Sequence, residues 1–362
     1  MKNLKIDVVL GTRPEIIKLS PVLSELKRRK IRYHLVHTGQ HYSFKMDRIF
    51  FKDLRIPDPN YLLGIGPGTH GEQTGKTLIK IEKAFLKEKP DIVLVEGDTN
   101  SVFATALAAV KLGIKVGHIE AGLRSFDRKM PEEINRVLTD HISDYLFAPT
   151  TMSKENLLRE GIDKKKVFVT GNTIVDATLK NIKVAEKKSK ILSRLSISKD
   201  NYFLLTLHRA ENVDNKERLK EIILTIKELC KKYLIVFPAH PRTTKRLREF
   251  NLSKDVKKIK NLKIIEPVGY LDFLKLEVNA SLILTDSGGI QEEACILNVP
   301  CVTLRENTER PETITIGSNI IAGWKKETIT TGVHKMLKKK RRWKHPFGIG
   351  NSAKKIVDIL LR

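Results

Sequence analysis

The sequence predicts an α/β protein of two domains, each built on a doubly wound parallel sheet. Short apolar runs alternate with longer amphipathic stretches along most of the 362 residues. Such strand–helix alternation is what a parallel sheet covered by helices on both faces requires. The alternation breaks once, in a polar, Lys-rich helical stretch over 176–195, and then restarts. The length also suits two domains, at roughly 150 residues for each.

In chain order, 6–10 is an apolar strand. Residues 14–29 form a helix opened by Pro14, whose fixed φ and missing N–H suit a first turn. A strand at 33–37 and a helix near 44–51 follow, then a loop, Gly64-Ile65-Gly66-Pro67-Gly68, and a helix over 75–87. Next come a strand at 91–95, a helix at 100–112 and a strand at 115–119. In a helix over 132–143, Ile134, Val137, Leu138, His141 and Ile142 recur at helical spacing and predict its inner face. Strands at 145–148 and 167–170 bracket another helix. After the break, strands at 202–207, 234–237, 262–265, 282–285 and 301–304 alternate with helices, and 352–361 has a helical pattern. The domains are expected at 1–175 and 176–345, both Rossmann-like, followed by the tail at 346–362.

Lys and Arg number 67 against 42 Asp and Glu, a net charge of +25. That balance suits either a nucleic acid or an anionic small substrate. The lysines are spread along the chain, apart from Lys164-Lys165-Lys166 and a run at 338–342. No zinc-knuckle spacing or aromatic ribonucleoprotein strand accompanies them, so no nucleic-acid partner is expected. The three cysteines, Cys230, Cys295 and Cys301, form no CxxC pair, which argues against a disulfide framework or a zinc site. No metal is expected. The first residues lack a signal peptide's apolar core, and no apolar run nears the roughly 20 residues that span a bilayer. A cytoplasmic location and no membrane partner are expected.

Open α/β sheets bind ligands where strands end at their carboxyl side. Gly11-Thr12-Arg13-Pro14-Glu15 follows the first strand, with Lys18 one turn on. Glycine admits a ligand to the backbone, and a helix N-terminus with Arg13 and Lys18 favours an anion, although an ordinary strand–helix turn explains the segment equally well. The GxGxxG fingerprint is absent, so no nicotinamide cofactor is expected. Asp98 follows another strand and either caps the next helix or does chemistry. Glu120 ends the next strand among small residues, and Glu132 opens a helix whose dipole would favour it in any case. Together the three put acid groups on one sheet edge, where like charges can raise a pKa.

In the second domain His208-Arg209 follows a strand directly, and His208 can donate to phosphate or move a proton. His240, in Pro238-Ala239-His240-Pro241, is a weaker candidate. The sharpest segment is Asp286-Ser287-Gly288-Gly289, where a strand ends and a helix begins. Its backbone N–H groups, Ser287 and the helix dipole suit a diphosphate. Glu293 lies about one turn further, at a reach suited to ribose hydroxyls. Arg310 is a bidentate phosphate clamp.

These segments also occur in a known order. Gly11-Thr12-Arg13-Pro14-Glu15, Gly97-Asp98-Thr99, Gly117-His118-Ile119-Glu120-Ala121-Gly122-Leu123-Arg124, Pro131-Glu132-Glu133-Ile134-Asn135-Arg136, Thr170-Gly171-Asn172-Thr173, the run from Asp286 to Glu293, and Glu309-Arg310-Pro311-Glu312 follow one another as in UDP-N-acetylglucosamine 2-epimerases of the non-hydrolysing type. The chain resembles that family over nearly its whole length. The resemblance implies a fold like that of the B-type glycosyltransferases, with the active site in the interdomain cleft and the tail helix folded back on the first domain. It implies interconversion of UDP-GlcNAc and UDP-ManNAc without cofactor, through UDP and 2-acetamidoglucal. Carried over by position, Asp98, Glu120 and Glu132 are the acid–base carboxylates, not assigned to faces of the sugar ring. His208 steadies the leaving diphosphate or moves its proton. Arg13, Lys18, His208, Ser287, Gly288, Gly289, Glu293 and Arg310 hold UDP, and a homodimer is expected.

Two positions depart from the family. Bacterial members often carry Gln-His-x-Gln or Gln-His-x-Glu at a regulatory substrate site, where this chain has Gln40-His41-Tyr42-Ser43. Ser43 is too short for the same contact. Ala210, in Arg209-Ala210-Glu211-Asn212, stands where a second Arg is common. The competing readings are a hydrolase releasing UDP and ManNAc, a sugar transferase of the same fold, and a non-enzymatic nucleic-acid binder.

Overall fold

The computed structural model describes residues 4–40 and 44–362. His41, Tyr42 and Ser43 of the segment read for regulation lie outside them. The chain divides into two compact units, one of Met1–Lys180 with Pro346–Arg362, the other of Asn181–His345.

Along the first unit run β1 (Ile6–Leu10), α1 (Arg13–Arg28), β2 (Tyr33–His37), α2 (Phe44–Leu54), β3 (Tyr61–Leu62), α3 (His70–Glu88) and β4 (Ile92–Glu96). These are followed by α4 (Asn100–Lys111), β5 (Lys115–Ile119), α5 (Pro131–Ile142), β6 (Tyr145–Ala148), α6 (Thr151–Arg159), β7 (Val167–Val169) and α7 (Thr173–Lys188), in which the chain passes to the second unit. The strands form one seven-stranded sheet in the order β3-β2-β1-β4-β5-β6-β7, all pairs parallel. β1 and β4 are buried along their whole length, as strands covered on both faces must be.

The second unit holds α8 (Ile191–Arg194), β8 (Phe203–Thr206), α9 (Ala210–Val213), α10 (Lys216–Leu229), β9 (Ile235–Pro238), α11 (Pro241–Glu249), α12 (Ser253–Lys257) and β10 (Leu262–Ile265). Then come α13 (Tyr270–Val278), β11 (Leu282–Thr285), α14 (Gly288–Ile296), β12 (Cys301–Thr303), α15 (Pro311–Thr315), β13 (Asn319–Ile321) and α16 (Lys326–Leu337). Its six-stranded parallel sheet runs β10-β9-β8-β11-β12-β13. The tail helix α17 (Ser352–Leu360) belongs to the first unit. There Arg29 pairs with Asp358 at 2.6 Å, and Asp176 accepts the N–H groups of Ser352 and Ala353. No helix among the described residues is long and apolar enough to cross a membrane.

Two doubly wound parallel sheets are what the alternation predicts; the details differ in instructive places. α3 begins at His70, five residues before the predicted start, because Thr69 and Glu72 form a capping box that outweighs Gly71 and Gly75. α4 is capped by Thr99, which accepts the N–H of Val102, so Asp98 is released from that task. The inner face predicted for α5 is corrected. Its buried residues are Glu133, Asn135, Arg136, Thr139 and Asp140, whereas Leu138 is 42% exposed. This helix turns its polar side inward because that side ties together the exits of β4 and β5, as described next.

Candidate active site

β1, β4 and β5 are neighbours, so their exits lie together on the carboxyl edge of the first sheet. Gly11 leaves β1 where a Cβ would lie 1.8 Å from Thr38 Oγ1, so only glycine fits between the exits of β1 and β2. Buried Glu15, in the first turn of α1, accepts the N–H groups of Gly11 (2.5 Å) and Thr12 (3.3 Å) and the hydroxyl of Thr99 (2.8 Å). Burial raises its pKa to about 7 against the pull of those hydrogen bonds.

One turn further, the buried ammonium of Lys18 lies 2.5 Å from Glu120 Oε1 and 3.2 Å from Glu96 Oε1. Asn172 Nδ2 donates to the same Glu120 oxygen at 3.2 Å, and its backbone N–H is anchored on the carbonyl of Phe347. Glu120 itself has φ +71°, a left-handed conformation that costs a non-glycine residue roughly 1–3 kcal/mol and clusters at functional sites. The N–H groups of Glu120 and Ala121 both point to the carbonyl of Phe147 at the end of β6, which holds that turn in place.

Asp98 accepts from Arg136 Nη2 at 2.5 Å, and Arg136 Nη1 reaches Glu133 at 2.6 Å. Asn135 fixes the Asp98 carbonyl at 3.0 Å. Behind these, His118 Nδ1 lies 2.7 Å from Asp140, and its Nε2 lies 2.8 Å from the Gly97 carbonyl. The other Asp140 oxygen takes the N–H of Gly122 at 3.1 Å and Arg124 Nη1 at 2.7 Å. Burial works to raise the Asp140 pKa, but the charges and hydrogen bonds of His118 and Arg124 prevail, and it lies below the ordinary value. Gly97 (φ +86°) and Gly122 (φ +82°) complete the turns around this buried pair. Glu132 sits half-buried in the first turn of α5. Arg13 lies 3.4 Å from Asp47 and over the Phe50 ring.

On the second sheet β8 and β11 are paired, and their exits meet at Asp286. This fully buried carboxylate accepts the N–H groups of His208 (3.0 Å) and Arg209 (2.9 Å), and His208 Nδ1 lies 3.2 Å from it. Burial works to raise its pKa, but His208 and the backbone donors outweigh burial, so Asp286 stays below the ordinary value. The contact leaves Nε2 as the His208 nitrogen not engaged by Asp286. Asp286 is therefore a brace inside the turn.

The two glycines of that turn serve different ends. A Cβ on Gly288 would meet Glu309 Oε1 at 2.3 Å, whereas a Cβ on Gly289 would meet nothing within 4 Å. Gly288 permits close packing, and Gly289 leaves open space at the start of α14. Arg310 is buried, with Nε 3.1 Å from Glu292 and Nη1 3.2 Å from Glu309. Glu309 also takes Arg305 at 3.0 Å, so two carboxylates hold Arg310 in place. Glu293 accepts the hydroxyl of Tyr270 at 3.0 Å. His240 caps α11, and its ring lies 5.4 Å from that of His208.

The structure thus joins Lys18 to Glu120, Asp98 to Arg136, His208 to Asp286, and Gly288 to the Glu309–Arg310 pair. Sequence reasoning missed Glu15, Glu96, Asn172, Arg136 and the His118–Asp140 pair. A signal existed for Glu96, a charged residue closing the otherwise apolar run Ile92-Val93-Leu94-Val95. For Asn172 the signal was its place in the motif Thr170-Gly171-Asn172-Thr173, whereas Asp140 had none, because it acts through residues distant in the chain.

Two doubly wound sheets, one with acid groups gathered on its carboxyl edge and the other with a glycine-opened helix at its own, define a two-unit α/β enzyme of the nucleotide-binding type. The chain belongs to the UDP-N-acetylglucosamine 2-epimerase family, whose sequence pattern matches residues 24–361. A UDP-N-acetylglucosamine 2-epimerase of Methanocaldococcus jannaschii is 63% identical over 361 residues, 99% of each chain. The crystal structure of the M. jannaschii enzyme in complex with UDP-GlcNAc and UDP superposes with a TM-score of 0.96, at 63% identity and 99% coverage of each chain. A UDP-N-acetylglucosamine 2-epimerase of Methanococcus maripaludis is 62% identical, covering 98% of both chains. A UDP-2,3-diacetamido-2,3-dideoxy-D-glucuronate 2-epimerase of Pseudomonas aeruginosa is 41% identical, over 99% of this chain and 100% of its own.

Proposed function

We propose that this chain interconverts UDP-GlcNAc and UDP-ManNAc by eliminating UDP and adding it back, without releasing free sugar. The observation that carries this reading is the buried Lys18–Glu120 pair on a strained turn, beside Asp98 at the next strand exit. A C–H beside an acetamido carbon is barely acidic, so its removal needs a positioned base and a stabilised leaving group. A carboxylate takes the C2 proton, the C–H electrons form the C1=C2 bond of 2-acetamidoglucal, and the C1–O electrons leave with UDP. Return of UDP to C1, with protonation of the other face of C2, gives the epimer. Atoms and charge balance without a metal or a nicotinamide.

Asp98, Glu120 and Glu132 are the acid–base groups. His208, braced by Asp286, meets the leaving diphosphate. Arg13, Ser287, Gly288, Gly289, Glu293 and Arg310 hold UDP. Lys18 is assigned to Glu120 rather than to phosphate, because its ammonium already bridges Glu120 and Glu96.

The test is to incubate the protein with UDP-GlcNAc and follow the products by NMR. The expected result is a stable mixture of UDP-GlcNAc and UDP-ManNAc. Free ManNAc with UDP would mean a hydrolase, and unchanged UDP-GlcNAc would sink the proposal. The Pseudomonas relative's name makes UDP-2,3-diacetamido-2,3-dideoxy-D-glucuronate the second substrate to try, and faster turnover of that compound would reassign the sugar.

A further inference from the structure

The Lys18 ammonium contacts two carboxyl groups, not one. Glu120 lies 2.5 Å from it and Glu96 3.2 Å, and the buried Glu15 lies within electrostatic reach of Glu96 on the same helix as Lys18. All are nearly excluded from water, with Glu96 only 1% exposed. Two ionised carboxylates on one cation, with Glu15 acting on Glu96 from nearby, would leave uncompensated negative charge in a low-dielectric pocket, an arrangement that buried groups avoid by binding protons. Glu15 has hydrogen-bond donors from Gly11, Thr12 and Thr99, which pull against the burial that raises its pKa to about 7. Glu120 has Lys18 and Asn172. Glu96 has the ion-pair contact with Lys18 but no hydrogen bond to its Oε1. It is the poorest-served carboxyl group of the three.

We propose that Glu96 is a positioning residue that carries a proton at neutral pH and shares it with Glu120, so that the two carboxyls titrate as a pair and Glu96 sets the pH range in which Glu120 works. Burial first, and the neighbouring Glu120 and Glu15 after it, push the Glu96 pKa well above the ordinary value, against the pull of Lys18. A carboxyl–carboxylate pair of this kind releases its protons in two separated steps that belong to the pair rather than to either residue. The inference rests on the reading of Glu120 as an acid–base group.

The test compares pH profiles of C2 hydrogen exchange, in kcat/KM, for the parent and for Glu96→Gln, Glu96→Asp and Glu120→Gln. Glu96→Gln keeps the shape but cannot titrate. The Glu120-dependent acid limb, which the shared proton holds low, should move to higher pH by on the order of one unit, since paired sites interact by at least that much. Glu96→Asp, which keeps a carboxyl, should hold the parent profile more closely. UDP affinity should be unchanged in both. A uniform fall in rate at every pH for Glu96→Gln would make Glu96 merely structural and overturn the proposal. If Glu96→Gln fails to fold, a Glu96→Asp limb shifted as far as that expected for Gln would overturn it. If Glu120→Gln keeps near-parent exchange, the reading of Glu120 itself has failed, a result separate from either outcome at Glu96.

Discussion

Glu120→Gln is expected to slow C2 hydrogen exchange by about 10²–10⁴-fold, the usual contribution of a general acid–base group, while UDP binding changes by no more than a few-fold. The substitution keeps the side chain's size and an oxygen for Asn172, so the turn at φ +71° need not move. What it removes is the charge that Lys18 neutralises and the ability to exchange a proton. Most of the residues proposed to hold UDP, Ser287, Gly288, Gly289, Glu293 and Arg310, belong to the other unit, which is why binding and chemistry should separate. Exchange is read by NMR in deuterated water, and UDP binding by calorimetry. Exchange within tenfold of the parent would remove Glu120 from the catalytic list.

Asp140→Ala is expected to cost the first unit about 3–5 kcal/mol, the range for breaking a buried ion pair from one side. His118, Arg124 and Asp140 are each almost fully buried, and Asp140 accepts from both of the others as well as from the Gly122 N–H. Truncation leaves a buried imidazole and a buried guanidinium facing a void. The pH dependence has a definite sign. The Asp140 pKa is below its ordinary value of 3.8 in the folded state, so its contribution is complete above that value and is lost as pH falls through the folded pKa. Parent and variant should therefore converge in strong acid. Urea unfolding followed by circular dichroism measures the loss. Both tryptophans, Trp324 and Trp343, lie in the second unit, so their fluorescence follows that unit separately. A loss below about 1 kcal/mol would show that the pair contributes little.

Both predictions concern residues that the sequence revealed unequally. The sheets were legible because buried parallel strands must be continuous apolar runs, and these stand out between amphipathic helices. Glu120 and the glycine turn were legible for a related reason. A charged residue or a pair of glycines at the end of an apolar strand stands out against the run that precedes it. α5 was misread because periodicity assumes that an inner face is apolar. Here Glu133, Arg136 and Asp140 face inward and bond to partners outside the helix, Ser125 and Phe126 for Glu133, Asp98 for Arg136, and His118 and Arg124 for Asp140, which a single helix's pattern does not contain. Lys18 shows the same limit. One turn from a glycine-rich strand exit it looks like a phosphate ligand, and only the fold brings Glu120, about a hundred residues away (|i−j|=102), against its ammonium. Glycine spacing identified the Asp286 turn, but not that Asp286 works as its inner brace.

In the proposed reaction UDP leaves C1 and returns to it, and this step leaves an isotopic trace. It is tested most directly with UDP-GlcNAc carrying ¹⁸O in the bridge between C1 and the β-phosphorus. Once the C1–O bond breaks, that oxygen becomes equivalent to the other terminal oxygens of the β-phosphate, provided the phosphate can rotate before UDP is returned. Recovered UDP-GlcNAc and UDP-ManNAc are expected to carry the label scrambled into non-bridging positions, as seen by ³¹P NMR, with deuterium at C2 when the solvent is D₂O. UDP-ManNAc that forms with C2 deuterium but keeps all of its label in the bridge would contradict it.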